Sequence, residues 1–253
     1  MLGFPDGRTN SLQGAEADLV LGPVVEQAMP DERATFLTRT YTHLLLAIVA
    51  FVGLEACWFA SPVAAWVFRA LSASPYMWLV FMGAFVGVSM LADKWAVSTT
   101  SRGTQYAGLA LYTFFQSIMF LPLIFLALAK MAEPGGDATL LPRAALVTAG
   151  LFAALTAVVV FTRRDFTFLR SVLIFAGLAS MGLIVCSIVF KFDLGNVFSY
   201  AMVGVACCWI LYDTSALQRR YRTSQHVAAA LALFASVMLL FWYVLRIFLG
   251  RRR

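Results

Sequence analysis

Any chemistry in this chain has to come from a few polar residues embedded in long apolar runs. The most informative of them is Asp213, in Cys207-Cys208-Trp209-Ile210-Leu211-Tyr212-Asp213-Thr214-Ser215-Ala216-Leu217-Gln218-Arg219-Arg220-Tyr221-Arg222. An apolar run carries one acid near its end and then stops in a cluster of arginines. An ionisable group at membrane depth is costly, so it marks a functional site with a partner to be found. Position alone leaves two readings open. In the first, Asp213 sits at headgroup level and pairs with Arg219 or Arg220, a weakly stabilising arrangement. In the second, it faces the interior of a helix bundle and responds to protons or binds cations.

The other polar candidates at membrane depth are Glu55, Gln116 and Ser236, with His43, Asp93 and Asp193 at the ends of apolar runs. Glu55 lies late in the first run, where a solvated and a buried carboxylate are equally open. Gln116 is in the middle of Tyr112-Thr113-Phe114-Phe115-Gln116-Ser117, and a buried amide needs partners. It is expected to face the bundle, as interhelical glue or as part of a hydrophilic path. His43 reads as a surface or satisfied histidine. Asp93 joins Arg219 and Arg220 as a candidate for ion pairs at a gate.

Several chemistries find no support in the residue types. Two histidines, His43 and His226, are too few and too far apart in sequence for a zinc site. The four cysteines form no C-x-x-C pair, lie in or beside apolar runs, and read as small packing residues. An intramembrane serine protease would want a G-x-S-x motif and a histidine in another span. Ala179-Ser180-Met181-Gly182 imitates that motif poorly, and neither histidine lies well inside a run. A non-enzymatic protein without a resident cofactor is expected.

The elements that hold these residues follow from composition. Of 253 residues 61% are hydrophobic and 13% charged, and the mean hydropathy is +0.82. A soluble domain carries about 25% charged residues, so an all-α, polytopic membrane protein is expected. The net charge of +6 sits in short loops between apolar runs, where it sets topology rather than recruiting nucleic acid. Residues 1–32 are polar, lack the pattern of a signal peptide, and are expected to form a flexible cytoplasmic tail ahead of a membrane domain over 33–253. Seven runs come near the roughly 20 residues that cross a bilayer: about Tyr41–Phe59, Tyr76–Leu91, Gly103–Ala129, Ala144–Phe161, Leu169–Phe190, Val197–Leu217 and Val227–Leu249.

Lys and Arg are in excess on the side shared by Arg33, Arg39, Lys94, Arg102, Arg163, Arg164, Arg219, Arg220 and Arg222. That side, with the N-terminus, is expected in the cytoplasm. Arg251-Arg252-Arg253 then end outside, unless the last segment is re-entrant; seven full spans are the preferred reading. Gly83-Ala84-Phe85-Val86-Gly87 and the stripe Ala228, Ala232, Ser236 offer smooth faces for helix packing.

Tyr212-Asp213-Thr214 after an apolar span resembles the F/Y-D-T signature in span six of the Bax inhibitor family. Thr156-Ala157-Val158-Val159-Val160-Phe161, Arg164-Asp165-Phe166-Thr167-Phe168-Leu169, Gln105-Tyr106-Ala107-Gly108-Leu109 and Leu245-Arg246-Ile247-Phe248 are similar to other family segments, in family order from about Phe36 to the C-terminus. The likeness points to the bacterial, YccA-like branch and so to a bacterial inner membrane. It implies six helices surrounding a seventh, and a pH-sensitive calcium leak governed by two interior aspartates. Two close carboxylates share a proton, so protonation or a nearby cation changes the gate. Some bacterial members are instead described as restraining a membrane-embedded AAA protease.

Carried onto this chain, the span-six aspartate is Asp213. The L-Y/F-L-D pattern of span seven reads Leu233-Phe234-Ala235-Ser236, so a serine stands where the family has its second acid. A hydroxyl hydrogen-bonds either form of Asp213 but forms no two-acid pair. One carboxylate also falls far short of the roughly six to eight oxygens that calcium takes, and Gln116 is the candidate to add another.

Overall fold

The computed structural model describes residues 22–98, 101–162 and 164–250. They form eight helices: α1 Pro30–Phe59, α2 Val63–Ser72, α3 Pro75–Ala96, α4 Arg102–Ala132, α5 Leu140–Thr162, α6 Arg170–Phe190, α7 Gly195–Arg219 and α8 His226–Gly250. A single 3-10 turn, Thr167–Leu169, leads into α6. Seven of the eight are long and apolar enough to cross a membrane. The eighth, α2, is a ten-residue helix in the connection after the first span. Its sequence is too short to cross a bilayer, and Phe68 stacks on Phe125 of α4 with ring centroids 4.4 Å apart.

Local chemistry sets the helix ends. Pro30 stands in the first turn of α1 with Asp31 and Glu32, acids that suit the positive end of the helix dipole. Thus α1 begins within the stretch expected as tail. Ser74 caps α3 by accepting from the Tyr76 amide, and Ser101 caps α4 by accepting from the Thr104 amide. At the far end of α8, Lys130 donates to the Leu249 carbonyl at 2.6 Å, satisfying an acceptor that the helix leaves unpaired.

The last helix is the axis of the bundle. In α8 72% of the most apolar window is buried, against 6% in α3 and 6% in α6. Helices α1, α3, α4, α5 and α7 pack directly on it. The ring is completed differently by α6, whose backbone stays clear of α8 and rests on α7, α3 and the 3-10 turn. Aromatic rings fill the centre: Phe120 lies 5.2 Å from Phe51 and 5.1 Å from Trp242.

Small residues act where two backbones meet. A Cβ on Gly108 of α4 would lie 2.6 Å from the Ala92 carbonyl oxygen and 2.8 Å from the Ala96 amide, so the α3–α4 seam requires glycine. The GxxxG of Gly83 and Gly87 does not serve this contact, since a Cβ added to either would meet no atom within 4 Å. In a bilayer both faces of a span are apolar, and α3 uses Ala92 and Ala96 inward instead. On α8, Ala228 and Ser236 are buried and Ala232 half-buried, in keeping with a packed stripe.

Candidate functional site

Residues 213–217 form an unbroken buried run at the end of α7, where this helix crosses α8. Asp213 is 7% exposed and Ser236 of α8 is 5% exposed. The Ser236 hydroxyl donates to Asp213 Oδ2. A hydrogen bond to a charged acceptor is among the stronger ones a protein makes, and it offsets part of the cost of burying the acid. Tyr112 of α4 lies within electrostatic reach of Asp213. The neighbouring Thr214 hydroxyl is buried and has no hydrogen-bond partner among the described residues.

Both arginines considered as partners of Asp213 are engaged elsewhere. Arg219 Nη1 contacts Glu26 Oε1 at 3.1 Å, and Arg220 Nη2 donates to Thr167 Oγ1 at 2.9 Å. Asp93 is exposed on α3 and forms no ion pair with a described residue. It does belong to the electrostatic surroundings of the site. The Tyr221 hydroxyl, in the loop after α7, has its pKa pushed up by burial and then by Asp213, Tyr212 and Asp93.

A cavity of about 450 Å³ fills the gap between α6 and α8. Trp78, Gln116, Ser180, Trp209 and Trp242 are among its walls, and Phe192, Asp193 and Arg246 stand at the end remote from the α7–α8 loop. At its other end, Tyr112 and Ala235 bring it next to Ser236. Gln116 is 6% exposed and its Oε1 has no hydrogen-bond partner among the described residues. It therefore offers an acceptor in the cavity wall. Asp193 is exposed and accepts from the Gly195 amide at 2.9 Å, which shapes the turn into α7.

The end of the bundle nearest Asp213 is tied together by polar contacts. The segment before α1 lies along the α7–α8 loop as a strap. Val24 forms an antiparallel bridge with Arg222, the Val25 amide donates to the Tyr221 carbonyl at 2.9 Å, and Arg222 Nη1 donates to the Gly22 carbonyl. Val25 is fully buried beneath these bonds. Across the loop between α5 and α6, Asp165 accepts from the Thr167 amide at 2.8 Å, and Ser215 of α7 accepts from the Phe166 amide at 3.0 Å. The Thr167 amide and hydroxyl, with Arg219 and Ser215, hold the exposed Asp165 carboxyl below the usual aspartate range.

Residues 1–21 of the expected tail, Arg163, and Arg251-Arg252-Arg253 lie outside the described residues. Three features near the site carried no sequence signal. The strap reads as polar tail, Tyr221 as a loop residue, and His43 and His226 as strangers in sequence. Their rings lie 5.2 Å apart, with His43 also stacked on Tyr106. Among the described residues, no group of three or more His, Cys, Asp or Glu side chains is placed to hold a metal ion.

The family described as inhibitor of apoptosis-promoting Bax1 matches the chain over residues 33–253. A comparison with curated proteins gave no match.

Proposed function

The chain belongs to the Bax inhibitor family, and from that premise we propose that it is a cation leak protein of the membrane in which Asp213 senses protons and calcium is the cargo. The observation that carries this reading is the Asp213–Ser236 hydrogen bond, buried where α7 crosses α8 and beside the end of a cavity. An ionised Asp213 accepts the Ser236 proton. A protonated Asp213 carries a donor of its own, and where the proton sits on Oδ2 the Ser236 hydroxyl rotates to accept it and the bond reverses polarity. Protonation thus acts directly on the contact between the central helix and its neighbour. A cation entering from the cavity competes with the Ser236 proton for the same carboxylate oxygen. One carboxylate with one amide oxygen from Gln116 is a sparse ligand set, which suits passage better than storage.

In this reading the seven spans cross a bacterial plasma membrane with the strap on the cytoplasmic side, consistent with the basic residues at that end. The activity is non-enzymatic, and the Ser180 hydroxyl is already donated to the Gly177 carbonyl. Calcium flux into vesicles carrying the reconstituted protein, followed across about pH 6–8 where physiological switches operate, tests the proposal. Wild type is expected to change its flux with pH and Asp213→Asn to lose that response. Equal, pH-independent flux in both would end this reading.

A second reading, a non-conducting modulator of a membrane-embedded AAA protease, draws on the strap. Exposed Glu26 of the strap, with exposed Asp31 and Glu32 in the first turn of α1, gives that end of the bundle an acidic handle. Crosslinking in native membranes with and without residues 1–30 separates the two: the modulator reading expects a protease adduct that disappears with the deletion.

A further inference from the structure

A second cavity, of about 410 Å³, lies at the strap end and shares no lining residue with the cavity beside Asp213. Its volume is within the range of roughly 300–1,000 Å³ typical of small-molecule sites. We infer that it receives the phosphate of an anionic phospholipid headgroup, held by Arg33 and Arg219.

Three observations select that ligand class. The first is charge. Arg33 from the first turn of α1 and Arg219 from the last turn of α7 both line the cavity, against one carboxylate, Glu26. Guanidinium groups present paired N–H donors that match two phosphate oxygens.

The second observation is depth. Arg33 and Tyr41 come from the start of α1, Val160 from the end of α5, and Gln218 and Arg219 from the end of α7. All therefore lie where the spans end, at the level where basic and aromatic side chains meet headgroups. Basic pockets between spans at this level are the physical form of headgroup recognition. Leu37 and Val160 add an apolar wall on the bundle side. A lipid entering sideways would lay its first methylenes there, whereas a free anion has no use for such a wall.

The third observation is an occupant already in place. Glu26 of the strap puts its carboxylate 3.1 Å from Arg219, and the Glu26 side chain is 56% exposed while that of Arg219 is 31% exposed. An exposed carboxylate on a more buried arginine is the partner that a stronger anion displaces, because its solvated ion pair is worth little. Arg33 donates to Gln218 Oε1 over 3.4 Å, a long bond that a phosphate oxygen would better. Headgroup binding thus competes with the Glu26 contact of the strap.

The test uses the full chain reconstituted in vesicles of equal parts phosphatidylcholine and phosphatidylglycerol, then released for native mass spectrometry. The wild type is expected to retain phosphatidylglycerol in preference. Arg33→Gln and Arg219→Gln should each lower that retention about fivefold, the change that roughly 1 kcal/mol per basic side chain corresponds to. Glu26→Gln should raise it, and it keeps the assignment testable should an arginine variant fail to fold. Equal retention of the two lipids, or full retention by both arginine variants, would overturn the site. Inorganic phosphate stabilising the lipid-free protein as much as phosphatidylglycerol does would overturn the lipid assignment in favour of a free anion.

Discussion

Two carboxylates are sealed in this bundle to the same degree, Asp213 and Glu55, each 7% exposed. Their surroundings differ in kind. Asp213 receives the hydroxyl of Ser236. Glu55 sits on α1 one turn after Phe51, which packs on Phe120, and one turn before Trp58, whose indole donates to Ser117 at 3.0 Å. Neither of its own oxygens has a hydrogen-bond partner among the described residues. Burial alone therefore does not make a site. Asp213 is held in one geometry by a donor on another helix, so a change in its charge is felt at a helix contact. Glu55 has the burial without the donor.

The comparison can be broken by stability measurements of opposite sign. Ser236→Ala removes the donor and leaves Asp213 buried like Glu55. It should lower unfolding stability in detergent by about 1–3 kcal/mol, the cost of a buried polar group left unpaired. Glu55→Met removes an unpaired polar group and keeps an apolar shape, so it should raise stability, by about 1 kcal/mol. A loss of stability there would mean that Glu55 has a stabilising partner.

The exposed Asp165 sharpens the contrast from outside the membrane. Its carboxyl titrates below the usual aspartate range because the folded chain donates to it. Its contribution is therefore present at neutral pH and is lost as the pH falls through that depressed value. The protection factor of the Thr167 amide, which removes the intrinsic pH dependence of exchange, should fall over this acidic window in the wild type and show no such step in Asp165→Asn. The smallest effect is expected at the exposed Arg143–Asp137 pair, where Arg143→Gln should change the melting midpoint by no more than about 0.5 kcal/mol equivalent.

The seven spans were legible because each is a long apolar run between charged turns, and their number needs no tertiary information. The inward faces were not. Lipid is as apolar as a protein core, so hydropathy does not say that Gly108 faces a helix while Gly83 and Gly87 do not. The short helix α2 escaped for a related reason, since it lies in a connection and the count of spans ignores it. Asp213 stood out as an acid in an apolar run. The register that brings it to Ser236 came from resemblance to a family pattern, and the structure places the two in contact. The place of Glu55 along α1 fits both solvent and core; its position on the face shared by Leu44, Ala47 and Phe51 decides for the core. The strap could not be read at all, because most of its bonds involve backbone groups and follow no side-chain pattern.

That strap imposes an order on the making of the protein. Arg222 and Gly22, whose hydrogen bond closes it, are separated by 200 residues of chain. A ribosome delivers Gly22 first, and its partner emerges only after six of the seven spans have left the tunnel. Val25, which ends fully buried, is thus left without its burial site throughout most of synthesis. Closure of the strap is a late event, and it reports that the sixth span and the loop behind it have reached their places.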